Sequence, residues 1–228
     1  MMNLRIGDLV ARRSYGFDIL FKIIDMIETF HKEKIVILKG VDLRIIADSP
    51  EKDLYRISLK KIDSFTRSFE KKIEKTIDKI MKKRNEKDEK KDYFIKSGKV
   101  LHLDGDKEYL DVCLKVYKQL EIDVVGKQIG EEEQPKAVLE LLQTYGPDIL
   151  VITGHDGFLK GHKDFKNADN YKNSRHFIET VKQARKYEPS MDDLVIFAGG
   201  CQSYYEEILN AGANFASSPH RVLMEWIV

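Results

Sequence analysis

The chain has 228 residues, with 39 Lys and Arg against 38 Asp and Glu and a formal net charge of +1, so no global field directs it to nucleic acid or to a membrane surface. A composition of 42% hydrophobic and 34% charged residues fits a soluble globular protein with room for one medium domain and a small one. No apolar run reaches the length of a membrane span and the opening MMNLRIGDLVARR has no apolar leader block, so neither a transmembrane helix nor a secretory signal is expected.

Three zones follow along the chain. Residues 1–60 hold short β-like runs, Gly7–Ala11, Ile19–Ile27, Lys34–Gly40 and Leu43–Asp48, separated by Gly, Asp and charged residues. Closely spaced strands without long helices predict a small antiparallel, SH3-like β-barrel. Residues 61–92 are dominated by Lys and Glu. Ile62, Phe65, Phe69, Ile73, Ile77 and Ile80 recur there at spacings of three and four, which predicts an amphipathic helix. From Lys82 to Asp92 no strongly apolar side chain sustains the stripe, and this stretch is expected to fray into a solvated linker. Lys82-Lys83-Arg84 is then an exposed basic site at which self-cleavage is conceivable. Alternating Lys and Glu cancel, so a solvated helix face is the bland reading of this run and nucleic-acid binding the weaker one.

From residue 93 to 228 strand and helix patterns alternate. The predicted strands are 99–103, 122–125, 148–153, 193–197 and 214–216. The predicted helices are 107–120, one beginning at Pro135 and ending near Gly146, 174–187, and 202–211 closed by Gly212. Short links between alternating elements predict a doubly wound parallel α/β sheet, flavodoxin-like in order. The order 2-1-3-4-5 sets strands three and four side by side.

Those two strands end in the informative strings. Ile149–Thr153 runs into Gly154-His155-Asp156-Gly157, and Leu194–Ala198 runs into Gly199-Gly200-Cys201-Gln202, with Cys201 46 residues after His155. Open α/β sheets bind ligands at the carboxyl ends of their strands, so His155 and Cys201 meet there. A thiol beside an imidazole is a nucleophile beside its base. With Cys201 at the start of the 202–211 helix, the positive helix end favours the thiolate. The backbone N–H groups of Asp156, Gly157, Gly200 and Cys201 are candidate oxyanion donors. Cys113, inside a helix, reads as an inert core thiol; with two cysteines the chain has no disulfide framework and suits a reducing cytosolic setting. His162 lies in the loop after strand three and is a lesser candidate base.

Strand one ends in His102-Leu103-Asp104-Gly105-Asp106. Asp104 and Asp106 are candidate substrate-binding carboxylates that would capture an Arg or Lys side chain. Alternatives are a cap on the next helix for Asp106 and a metal site with His102, which no second ligand cluster supports. No cofactor or metal is expected.

The paired blocks, hydrophobic run–His155 and hydrophobic run–Gly200-Cys201, resemble the caspase-like clan of cysteine peptidases, in which histidine precedes cysteine on adjacent strands. Members of that clan mostly place glycine directly after the histidine; here Asp156 intervenes. IGDLVARRSYGFDILFKI, GKVLHLDGDKEYL, PDILVITGHDGF, YKNSRHFIETVKQAR, LVIFAGGCQSYYE and AGANFASSP resemble the YabG family of sporulation-specific peptidases over nearly the whole chain. That resemblance implies a cysteine endopeptidase that processes spore coat and related proteins in the sporulating cell, with Cys201 as nucleophile and His155 as base. It also implies more chain after the ASSP motif than the nine residues present, so the domain over 93–228 is expected to be C-terminally truncated. The rival readings are a catalytically inactive scaffold in coat assembly, a Cys–His amidotransferase, disfavoured by the order of the two residues, and nucleic-acid binding by residues 1–60.

Overall fold

The computed structural model describes residues 4–28, 33–41, 43–88, 97–159 and 161–217. The calls on the linker end at 89–92 and on the C-terminal segment from Ser218 lie outside the described residues. The chain divides into two compact units, Met1–Lys82 and Lys83–Val228.

The first unit is a five-stranded antiparallel sheet. Its strands are β1 (Leu9–Arg12), β2 (Phe21–Glu28), β3 (Lys34–Gly40), β4 (Ile46–Pro50) and β5 (Leu54–Arg56), in the order β4-β3-β2-β1-β5. Alternate residues of the central strands point inward, so Val10, Phe21, Ile23, Val36, Leu38 and Leu54 form one buried cluster with Leu4. A register shift between Ile23 and Asp25 bends β2. Two details depart from the sequence expectation. The run at 43–48 starts as a turn, with Gly40 N–H donating to Ile45 O and Ile45 N–H to Leu43 O, so the strand begins only at Ile46. The short strand β5 is additional. It pairs with β1 through Val10↔Arg56, and three residues with one buried side chain are too few to show alternation.

Helix α1 spans Leu59–Asp88. Ile62, Phe65, Phe69, Ile73 and Ile77 are half-buried while the residues between them are exposed, which is the stripe its spacing predicts. The helix does not fray at Lys82. Lys, Arg, Glu and Met are good helix formers, and Arg84 Nη1 donates to Leu120 O at 3.0 Å. Lys82-Lys83-Arg84 therefore lies in helix rather than in the extended chain that a peptidase engages.

The second unit carries the parallel sheet: β6 (Val100–Asp104), β7 (Val124–Gln128), β8 (Ile149–Thr153), β9 (Val195–Gly199) and β10 (Phe215–Ala216). The order β10-β9-β8-β6-β7 is the expected one. Between the strands run α2 (Lys107–Gln119), α3 (Gln134–Tyr145), α4 (Ser174–Tyr187) and α5 (Tyr205–Asn210). β6 is buried along its whole length. Leu101, Leu103, Leu150, Ile152, Ile196 and Ala198 from the sheet pack with Val138, Leu142, Phe177 and Val181 from α3 and α4.

Arg185 pins the far end of α4 to the sheet. Its guanidinium donates to Gly212 O, Glu188 O, Ser190 O and Leu194 O and to Asn214 Oδ1, at 2.7–3.1 Å. The planar guanidinium serves all five acceptors, with the two Nη1 hydrogens shared among three carbonyls. Arg185→Lys and Arg185→Met are each expected to lower the unfolding free energy by about 3 kcal/mol, read as an earlier midpoint in urea with an unchanged slope. A midpoint equal to that of the parent chain would contradict this role.

Candidate active site

The loops after β8 and β9 form the candidate site, and the sheet register explains why they meet. The two strands pair in parallel with Thr153 opposite Gly199. His155 and Cys201 each lie two residues beyond that pair in sequence. Gly200 lets the turns approach: a Cβ at that position would stand 2.9 Å from Gly154 O and 3.0 Å from Asp156 N. Gly199 has φ +125°, and a Cβ there would meet Ser217 O at 2.6 Å, so side-chain-bearing residues are excluded at both positions. Further along, Phe158 N–H donates to Gln202 Oε1 at 3.4 Å. Cys201, partly buried, is thus framed by contacts on both sides with the turn that carries His155.

The His155 ring is held from the α2 side. Asp106 is the N-cap of α2, its Oδ1 accepting from Glu108 N–H at 2.9 Å and Tyr109 N–H at 3.4 Å. Its other oxygen, Oδ2, lies 2.8 Å from His155 Nε2. The two side chains are only 12% and 16% exposed. Tyr109 meets the imidazole edge to face, with centroids 5.7 Å apart. An ionised carboxylate accepts only, so Nε2 carries the ring proton. The other ring nitrogen, Nδ1, is buried without a hydrogen-bond partner among the described residues. The His155 backbone N–H donates to Glu131 Oε1 at 2.6 Å, and Asn173 Nδ2 donates to His155 O at 2.7 Å.

Asp104, expected at the rim, is fully buried. Its Oδ1 accepts from Asp106 N–H and its Oδ2 from Thr153 Oγ1, both at 2.8 Å. The Thr153 hydroxyl also lies 2.8 Å from His102 Nε2. Burial lifts the neighbouring Tyr117 phenol to about 12, with Cys113 and Asp104 adding to the effect. This is an interior network at the end of β6, out of reach of a substrate side chain, so the assignment of Asp104 to substrate capture is corrected. Asp106 takes the capping role weighed for it and holds His155 with its second oxygen.

The expected oxyanion donors are also differently engaged. Gly157 N–H donates to Asp156 Oδ1 at 2.9 Å, and Gly200 N–H donates to Ser203 Oγ at 2.7 Å. Both amides are held by the protein's own side chains. Asp156 itself accepts from Asn173 N–H at 2.8 Å and Ser174 Oγ at 2.5 Å. Burial pushes its carboxyl up, against the pull of these donors. The helix expected to begin next to Cys201 begins at Tyr205 instead. Ser203 accepts from Gly200 N–H within the turn, so Cys201 lies four residues before α5 rather than at its first turn. Cys113 sits on α2 and is partly buried. His162 is exposed on the loop after β8, and no group of three or more metal-ligating side chains is found among the described residues.

Sequence reasoning missed Glu131, Asn173, Ser174 and Ser203. Glu131 follows β7 and occupies the space that a Cβ would need at Gly105 and Gly154. The available signal was its place just beyond a strand end, but a run of three glutamates offers no way to choose among them.

Comparison with known proteins agrees with the motif resemblance. The model of the YabG peptidase U57 family matches residues 5–227. The sporulation-specific protease YabG of Bacillus subtilis (strain 168) is 46% identical over 235 residues, covering 97% of this chain and 80% of that protein. Among solved structures, a cobalamin-binding protein from Desulfitobacterium hafniense DCB-2 matches at 18% identity over 57% of each chain, with a TM-score of 0.30, a likeness too slight to bear on fold or ligand.

Proposed function

This chain belongs to the YabG peptidase U57 family, and we propose on that premise that it is a cysteine endopeptidase acting on spore coat and other sporulation proteins. The observation that carries the catalytic assignment is that His155 and Cys201 each follow by two residues the paired Thr153 and Gly199, on turns that Gly200 lets approach closely. The Asp106–His155 contact supports it, because it leaves Nδ1 as the basic nitrogen. In the reaction His155 Nδ1 takes the Cys201 proton, and the thiolate attacks the peptide carbonyl. With Gly157 and Gly200 N–H engaged by Asp156 and Ser203, the backbone N–H groups of Asp156 and Cys201 are assigned to the developing oxyanion. The imidazolium then returns its proton to the leaving amine as the C–N bond breaks. Water, deprotonated by His155, attacks the thioester, and the thiol leaves with that proton. Asp106 stays ionised and steadies the imidazolium.

The antiparallel unit is read as an SH3-like barrel and the parallel unit, which carries the dyad, as a caspase-like domain. The support is five short strands with a bulge in the first and the His-then-Cys strand order in the second. The basic P1 preference rests on the carboxylates at the ends of β6 and β7. Asp104 is buried, Asp106 serves His155 Nε2 and Glu131 accepts from the His155 N–H through Oε1, so the second oxygen of Glu131 is the one assigned to charge capture.

Matched peptides with Arg, Lys, Asp or Leu at P1 test the reading. Arg and Lys are expected to exceed Asp and Leu by roughly tenfold or more in kcat/KM. Alkylation by iodoacetamide is expected to abolish turnover in step with modification of Cys201, mapped by mass spectrometry. Equal rates for all four peptides would remove the P1 assignment. Undiminished turnover of a chain alkylated at Cys201 would remove the cysteine mechanism, and an inactive scaffold would show no turnover at all.

A further inference from the structure

The Cys201 turn hangs from one carboxylate at both ends. On the near side, Gly200 N–H donates to Ser203 Oγ at 2.7 Å, and the Ser203 hydroxyl hydrogen-bonds to the Asp156 carboxylate. On the far side, Tyr204 N–H donates to Ser174 Oγ at 2.9 Å, and the Ser174 hydroxyl donates to Asp156 Oδ2 at 2.5 Å. Each serine oxygen receives an amide hydrogen, so its single proton is free to point at Asp156. Both serines are buried, Ser174 completely and Ser203 to 99%.

The remaining Asp156 bonds belong to the other turn. Its Oδ1 accepts from Gly157 N–H and from Asn173 N–H, and Asn173 Nδ2 donates to His155 O. His155 is the residue just before Asp156, and Cys201 lies between the two suspended amides of Gly200 and Tyr204. One carboxylate with four donors therefore ties the histidine turn to the cysteine turn from below. A glycine at this position would leave two buried serine hydroxyls and two backbone amides to find other acceptors.

We propose that Asp156 is a positioning residue which, through Ser174 and Ser203, clamps the Cys201 turn onto the His155 turn and so sets the approach of thiol to imidazole. The proposal rests on the Cys–His reading above. It accounts for a carboxylate next to the base, and it assigns Ser174 and Ser203 a purpose outside the reaction itself.

Asp156→Asn replaces one of the two carboxylate oxygens with an NH₂, so two of the four acceptor positions become donors. Ser174→Ala and Ser203→Ala each remove one tether and keep the rest. Each variant is expected to lose kcat on the order of 10²-fold, the loss that follows a displacement of about 1 Å between reacting groups, with KM changed by less than about threefold. A readout independent of turnover is the pH dependence of Cys201 alkylation by iodoacetamide, followed by mass spectrometry on the full chain. Its midpoint is expected to move towards about 8.5, the value of an unassisted thiol, in all three variants. A purely structural role would lower the melting temperature and leave both the midpoint and kcat alone. Serine variants that melt cooperatively and match the parent in both readouts would overturn the clamp, and they carry the test by themselves if Asp156→Asn does not fold. If the parent chain hydrolyses peptides independently of Cys201, the cysteine mechanism falls and the clamp falls with it; if hydrolysis depends on Cys201 and the serine variants are unaffected, the clamp alone falls.

Discussion

Cys201→Ala is expected to remove peptide hydrolysis by on the order of 10⁴-fold or more, the scale at which loss of a covalent nucleophile acts in hydrolases, while Cys113→Ala keeps kcat/KM within about twofold. The two thiols differ in place rather than in exposure, since both are partly buried. Cys113 lies within α2, where the backbone amides are committed to the helix. Cys201 lies in a turn at the carboxyl end of β9, pressed by Gly200 against the turn that carries His155. Alanine at Cys201 removes the atom that forms the thioester, and no neighbouring hydroxyl replaces it: Ser203 Oγ is held by Gly200 N–H and Ser174 Oγ by Tyr204 N–H. The assay is initial-rate kinetics on an Arg-P1 peptide, with circular dichroism to establish that each variant is folded. Full activity in Cys201→Ala would defeat the central assignment.

Asp106→Asn is expected to lower kcat by roughly 10²- to 10⁴-fold, the range seen when a carboxylate that orients a catalytic histidine becomes an amide. Stability should barely move. Asn caps helices as well as Asp, so its Oδ1 can still accept from Glu108 N–H and Tyr109 N–H. What changes lies at His155. The amide NH₂ facing Nε2 is a donor, so the imidazole is driven to carry its proton on Nδ1, the nitrogen needed as base. A second effect works in the same direction, because an amide does not stabilise the imidazolium formed when the thiol is deprotonated. The outcome separates two roles for one residue. A positioning Asp106 gives the same kcat loss on Arg-P1 and Leu-P1 peptides. A specificity role raises KM for Arg-P1 alone and leaves Leu-P1 hydrolysis intact, and that result would return Asp106 to the substrate.

Much of this arrangement is legible in the chain because it depends on local pattern. The blocks Ile149–Thr153 and Leu194–Phe197 are short, continuous and apolar. Such runs form strands buried on both faces, and they lie in adjacent parallel strands as their βα spacing predicts. Helix α4 occupies the predicted 174–187, since its apolar residues repeat with helical period up to the break at Glu188-Pro189. The same local logic failed where partners are distant. Nothing in LHLDGD distinguishes a carboxylate aimed at solvent from one aimed at Thr153, 49 residues away. The helix expected from 202 begins only at Tyr205, because Ser203 Oγ accepts from Gly200 N–H and holds the chain in a turn.

The sequence by itself determined which runs form the parallel strands and in what order, and it singled out His155 and Cys201 as candidates, because strand and helix periodicity and glycine placement act over a few residues. The tertiary structure alone decided which carboxylate serves which atom. Asp104 turned inward, Asp106 went to His155 Nε2, Asp156 to two serines and Glu131 to the His155 amide. The physical reason is that a partly buried carboxylate must be satisfied by donors within about 3 Å, and those donors are brought there by chain segments up to 49 residues away.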